Sequence, residues 1–143
     1  MRILGVDFGE RRIGLAISDV SGTLAVPLKA VKSFSSFEEA VEAVGVEIEF
    51  LMLEEDGLGA VVVGLPFGLD GEIHRQTDRV RKFGKALSQR VPIPVKFQDE
   101  RLSSREAESL LALREKDWRK RKKKLDAVAA ALFLQEYLNR QHG

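Results

Sequence analysis

Ala60-Val61-Val62-Val63-Gly64 is a continuous apolar run with three β-branched residues. It shows no polar alternation, so neither face of the strand it predicts meets water. A strand buried on both faces belongs at the centre of a parallel sheet. Parallel neighbours need crossover connections, and helical patterns flank the run on both sides. Before it, Ser36-Phe37-Glu38-Glu39 is a capping box that opens a helix. Apolar residues then recur at Val41, Val44, Ile48, Leu51 and Met52, and Asp56-Gly57 with Gly59 stop the helix. After it, Leu65 to Gly71 forms a loop rich in Pro and Gly. A helix from about Glu72 to Gln89 follows, with Ile73, Val80, Phe83 and Leu87 on its buried side.

Further out, Arg2–Phe8 and Arg12–Ser18 read as two strands close enough to pair as a hairpin. Ala25–Lys32 reads as a third, placed near an edge because Pro27 lacks a ladder donor. Val95–Gln98 is the fifth strand. Ser103-Ser104-Arg105-Glu106 opens a helix to about Glu115, a basic loop follows, and a last helix runs from about Leu125 to Arg140. The expected order is β-β-β-α-β-α-β-α-α over residues 1–143, with no internal repeat or second domain. A meander that continues into β-α units predicts an α/β fold, a mixed sheet with helices on its faces.

Composition narrows the chemistry. The 143 residues include no cysteine and two histidines, His74 and His142. Disulfides, thiolate zinc sites, a cysteine nucleophile and a three-histidine zinc site are excluded. No apolar stretch is long enough to span a membrane. The chain opens directly into strand-like sequence with no signal pattern, so the cytoplasm is the expected location. The net charge of +1 hides an asymmetry: residues 1–56 carry 5 basic and 11 acidic residues, and residues 57–143 carry 18 and 11. A basic C-terminal half points to a polyanionic partner.

Three places could hold a reactive carboxylate. Asp7 ends the first strand at a Phe8-Gly9 turn, where α/β sheets collect ligands, although a turn aspartate bonded to backbone would look the same. Asp99 and Glu100 follow the fifth strand and precede Arg101, and pairing with that arginine or with water would also account for them. Asp126 lines up with Ala129, Ala130, Phe133 and Tyr137, an apolar helix face. A lone charge there calls for a cation, or else Asp126 is the N-cap of the last helix. The small residues Ala127 and Ala129 to Ala131 would let that helix approach the sheet closely. Carboxylates at such element ends make an all-oxygen site suited to Mg²⁺ or Mn²⁺. With no usable histidine or cysteine, metal-assisted hydrolysis is the hydrolytic chemistry left open.

Arg119-Lys120-Arg121-Lys122-Lys123-Lys124 is a run of six basic residues directly before Leu125-Asp126. Phosphate contacts would add sequence-independent affinity, and Trp118 could stack on a base. A solvated charge run is the alternative. Gly64-Leu65-Pro66 with Gly68 and Gly71 lacks Gly-Lys-Ser/Thr and is not a P-loop.

Together these motifs resemble the YqgF/RuvX family of Holliday-junction-resolvase-like proteins and pre-16S ribosomal RNA nucleases. The resemblance rests on Gly5-Val6-Asp7-Phe8-Gly9, Arg12-Ile13-Gly14-Leu15-Ala16-Ile17-Ser18-Asp19 and Val63-Gly64-Leu65-Pro66. It continues through Asp99-Glu100-Arg101-Leu102-Ser103 and Asp126 with Ala129-Ala130 and Leu134-Gln135. It implies an RNase H-like fold, a five-stranded mixed sheet in the order 3-2-1-4-5 flanked by helices. It also implies an acidic set of Asp7, Glu100 and Asp126 holding Mg²⁺ or Mn²⁺, with Asp99 in reserve because alternation puts only one of the neighbours in the cluster.

The reading that follows is a cytoplasmic metal-dependent nuclease. From the resemblance, its substrate is the 5′ end of pre-16S ribosomal RNA, with the small ribosomal subunit as a candidate partner, and the protein is a monomer or a homodimer. Arg119 to Lys124, with Arg11, Arg12 and Arg101 as lesser candidates, would hold phosphates. The rivals are a resolvase of four-way DNA junctions, a non-catalytic nucleic-acid or ribosome-binding protein, and a phosphate-handling kinase. The kinase reading suffers from a chain too short for the second lobe that closes over ATP.

Overall fold

The computed structural model describes residues 1–9, 12–32, 36–65, 71–99 and 118–142, with the backbone alone for 32, 71–76, 99, 118–126 and 142. Five strands form one sheet: β1 (Arg2–Phe8), β2 (Arg12–Ser18), β3 (Ala25–Lys32), β4 (Leu58–Leu65) and β5 (Val95–Asp99). Their order is β3-β2-β1-β4-β5, as the family resemblance implies. The hairpin arm pairs antiparallel, Val6 with Leu15 and Gly14 with Ala30. β4 pairs in parallel with β1 on one side and β5 on the other. Val61, Val62 and Val63 are fully buried, because the interior strand β4 has a helical layer on each face. β3 is an edge strand, and its register shifts where Pro27 pairs with Ala16. An edge bulge accommodates the missing donor.

The two faces are covered differently. On one, α1 (Phe37–Leu53) and α2 (Gly71–Arg90) pack against Leu4, Val6, Ile13, Leu15, Val61 and Val63. Val80, Phe83 and Leu87 of α2 are buried in that cluster. Ser36 caps α1, its Oγ accepting the Glu39 N–H at 3.1 Å. On the other face lies a single long helix, α3 (Trp118–His142). Its Ala130, Ala131, Phe133, Leu134, Tyr137 and Leu138 pack with Ala16 and Val62. Among the described residues no helix is long and apolar enough to cross a membrane.

Two expectations are corrected. β5 includes Asp99, so that residue belongs to the strand. Arg119 to Lys124 is helical from end to end, where a loop was expected. Lysine and arginine are good helix formers, and no Gly or Pro separates Trp118 from Leu125, so the helix begins earlier than its apolar pattern does. The Leu65–Gly71 loop, apart from its two end residues, lies outside the described residues, as does the helix expected from Ser103 to Glu115.

Candidate functional site

Strand alternation sorts the side chains by face. Leu4 and Val6 join the α1/α2 core, whereas Ile3 packs with the α3 cluster. A Cβ on Gly5 would lie 3.0 Å from Leu134 Cβ and 3.3 Å from the Ala130 carbonyl oxygen, so Gly5 also faces α3. By the same period Asp7 faces α3, at the C-terminal end of the central strand.

What flanks Asp7 across the sheet is backbone alone. Its partner on β2 is Gly14. On β4, the register that pairs Val6 with Val63 brings Asp7 beside Gly64. Beyond Gly64 stands Gln98 of β5. The row therefore reads Gly14, Asp7, Gly64, Gln98, an acid with a bare strand on each side. Gln98 is 9% exposed, and its buried Nε2 has no hydrogen-bond partner in the structure. Sequence reading placed Gly64 in a glycine-rich loop that could approach substrate or be an ordinary loop, joined neither Gly64 nor Gly14 to Asp7, and passed over Gln98. The signal was present as Gly14 and Gly64 in two strands otherwise rich in large residues, but joining them requires the strand register.

α3 reaches the same end of the sheet. Its middle touches Gly5, and further along Gln135 Oε1 accepts the N–H of Ala25 at 2.9 Å. Ala25 pairs with Ser18, whose Oγ accepts the Ile3 N–H at 2.8 Å, so it marks the N-terminal end of β1. Going back along α3 therefore leads towards Asp7. From Ala130 to Asp126 is about 6 Å of helix, and from Gly5 to Asp7 is about 7 Å of strand. The helix segment that carries Asp126 thus runs towards the end of β1 that carries Asp7.

Asp126 lies eight residues inside α3, which removes the N-cap reading. The cap was expected because the helix start was placed at Leu125. Ala129, Ala130, Phe133 and Tyr137 are all buried, so the apolar face expected next to Asp126 exists. The close approach expected of α3 is real and depends as much on Gly5 as on the helix alanines.

Glu100, Arg11 and Arg101 lie outside the described residues, and the side chains of Asp126 and of Arg119 to Lys124 are not described. Arg12 is half-buried on β2. Among the described residues no group of three or more His, Asp or Glu side chains gathers.

One other motif aspartate has a purely local role. Asp19 accepts the N–H of Leu24 at 3.1 Å, the hydroxyl and N–H of Thr23 at 2.8 Å, and the Ser21 hydroxyl at 2.8 Å. These bonds hold its carboxyl well below the usual carboxylate range. It ties the β2–β3 turn and has no further lone pair to offer.

The family described as "RuvX: Holliday junction resolvase" matches residues 1–140. A protein of Caldanaerobacter subterraneus is 42% identical over 99% of this chain and 98% of its own, and carries the name "Putative pre-16S rRNA nuclease". One of the same name from Maridesulfovibrio salexigens is 40% identical over 98% of this chain and 99% of its own. Among solved structures, RuvC of T. thermophilus in complex with a Holliday junction substrate superposes with a TM-score of 0.57 at 18% identity. The match covers 100% of this chain and 96% of that one, and it shows a shared fold.

Proposed function

The chain belongs to the RuvX family and is a phosphodiester hydrolase, and from that premise we propose a cytoplasmic, divalent-metal-dependent nuclease acting on the 5′ end of pre-16S ribosomal RNA. The observation that carries the reading is Asp7, set between Gly14 and Gly64 at the end of the central strand and beneath α3. Its carboxylate oxygens are hard donors, and the bare strands beside it leave the room that side chains there would fill. That combination fits Mg²⁺ or Mn²⁺. Asp7, Glu100 and Asp126 would hold the ion, which when bound supplies an activated water and a stabilised leaving oxygen. Gln98 shares the sheet face of Asp7, and the family resemblance favours Glu100 over Asp99.

The protein's own part is to admit and orient the strand. Gly14 and Gly64 let a phosphate come close to the sheet backbone. Arg119 to Lys124, on the same helix as Asp126 and just before it, would attract the flanking phosphates. Arg11, Arg12 and Arg101 are secondary contacts. The small ribosomal subunit in assembly is the setting this substrate implies.

A second reading is cleavage of four-way DNA junctions, favoured by the family description. Two symmetric cuts require two sites, hence a homodimer. The deciding experiment presents matched pre-16S RNA and junction DNA to the wild-type protein with Mn²⁺, next to Asp7→Asn. RNA cleavage by a monomer, lost in Asp7→Asn, supports the first reading. Junction cleavage by a dimer supports the second. Binding without metal-dependent cleavage of either substrate sinks both and leaves a binding protein. Replacing residues 119–124 by glutamine, a good helix former, should flatten the salt dependence of binding without melting α3.

A further inference from the structure

α1 is apolar on two opposite faces. Ala40, Val41, Val44, Ile48 and Leu51 are buried in the core. On the outward side Val46, Phe50 and Leu53 are 36%, 63% and 84% exposed, preceded by a half-buried Ala43. Positions 43, 46, 50 and 53 alternate steps of three and four. That spacing is the seam by which one helix packs along another.

The positions bordering this seam are Glu42 and Glu49 on one side and Glu47 and Glu54 on the other. Each is steadied by a cation of the same chain. Arg90 donates to Glu42 at 2.8 Å and to Glu49 at 2.7 Å. Lys29 donates to Glu47 at 2.7 Å, and Arg2 lies 3.7 Å from Glu54. A carboxylate offers about four lone-pair sites, so these glutamates keep acceptor capacity towards an incoming group.

We propose that the outer seam of α1 docks a basic amphipathic helix of a partner protein. Its aliphatic residues would cover Val46, Phe50 and Leu53, and its lysines or arginines would face the four glutamates. A second copy of this chain is the wrong occupant, since two such seams set glutamate against glutamate whether they run parallel or antiparallel. α1 covers the sheet face opposite α3, so the partner and a nucleic acid near Asp7 can be held together.

The test uses the full chain and two synthetic helical peptides with leucine at seam positions, one flanked by lysine and one by glutamate. The lysine peptide should bind, more weakly as salt rises, and the glutamate peptide should bind at least about tenfold more weakly. Phe50→Ser with Leu53→Ser should weaken the lysine peptide by about tenfold or more, with an unchanged melting temperature showing that the fold is intact. If that pair melts early, Phe50→Ala alone serves the same comparison. Glu47→Lys with Glu54→Lys should turn the preference towards the glutamate peptide. Equal binding of both peptides, no binding of either, or lysine-peptide binding that survives loss of Phe50 and Leu53 would each overturn the proposal. So would a dimer in sedimentation that the serine pair abolishes, because the seam would then be a self-interface.

Discussion

The two faces of the sheet are built from the same five strands and could hardly differ more. Towards α1 and α2 the strands present Leu4, Val6, Ile13, Leu15, Val61 and Val63, which close around Phe83. Towards α3 the same strands present Gly5, Asp7, Gly14, Ala16 and Gly64. Bulk is concentrated on the first face, whereas the second carries Ile3 and Val62 among these small residues. Large side chains bury apolar area and stabilise the fold. Small ones bring α3 close and leave a bare strand on each side of Asp7. The function proposed above puts the chemistry on the second face, set apart from the bulkier core by a period of two residues.

The largest expected effect tests the second face. Asp7→Asn should abolish phosphodiester cleavage. Without divalent metal it should leave the melting temperature unchanged or raise it, because an amide would not repel the carboxylates proposed to share the site. With Mn²⁺ present, the wild-type melting temperature should rise and that of the variant should not. A variant that melts well below wild type without metal would make Asp7 a structural residue and erase the contrast between faces.

Phe83→Ala tests the first face. Phe83 is fully buried, with its ring 4.5 Å from that of Phe8. Its loss should cost about 3–5 kcal/mol of stability in denaturant titration. Cleavage per folded molecule should stay near the wild-type value. A rate loss at temperatures where the variant is fully folded would show that the faces are coupled.

Gly5→Ala tests the boundary between bulk and approach. The new Cβ would press on Leu134 Cβ at 3.0 Å and on a backbone carbonyl that cannot rotate away. Moving α3 outward should cost about 1–3 kcal/mol. Cleavage should fall as well, since Asp126 travels with the helix. A variant as stable and active as wild type would mean that α3 needs no such close fit.

The smallest effect lies at the turn. The carboxyls of Asp19 and Glu42 titrate below their ordinary values, Asp19 through its bonds in the β2–β3 turn and Glu42 through its bond from Arg90. A depressed folded pKa gives stability that is present above the unfolded value and lost as pH falls. The melting temperature should therefore drop from about pH 4 downward. Asp19→Asn should shallow that drop while lowering stability at neutral pH. An unaltered acid limb would assign the effect to other carboxylates.

Much of this was legible in the chain. β1, β2 and β3 follow from short apolar runs broken by turn residues, and the sheet centre follows from the triple valine. The start of α3 was misread because apolar periodicity locates a buried face, whereas a helix can extend beyond it on charged residues with good propensity. That one boundary decided whether Asp126 was a cap or an interior residue. Asp7 was legible as an acid at a strand end. Its surroundings were not, because Gly14 and Gly64 are distant in sequence and meet it only through strand register.

By itself the sequence determined the family, the strand pattern, the exclusion of cysteine chemistry and the basic character of the C-terminal half. These depend on residue type and short-range spacing, which a linear chain carries in full. The tertiary structure alone decided which glycines flank Asp7 across the sheet, and which face of α1 is left apolar and edged with glutamate. Those depend on pairing across the sheet and on helix placement over it, and neither exists until the chain has folded.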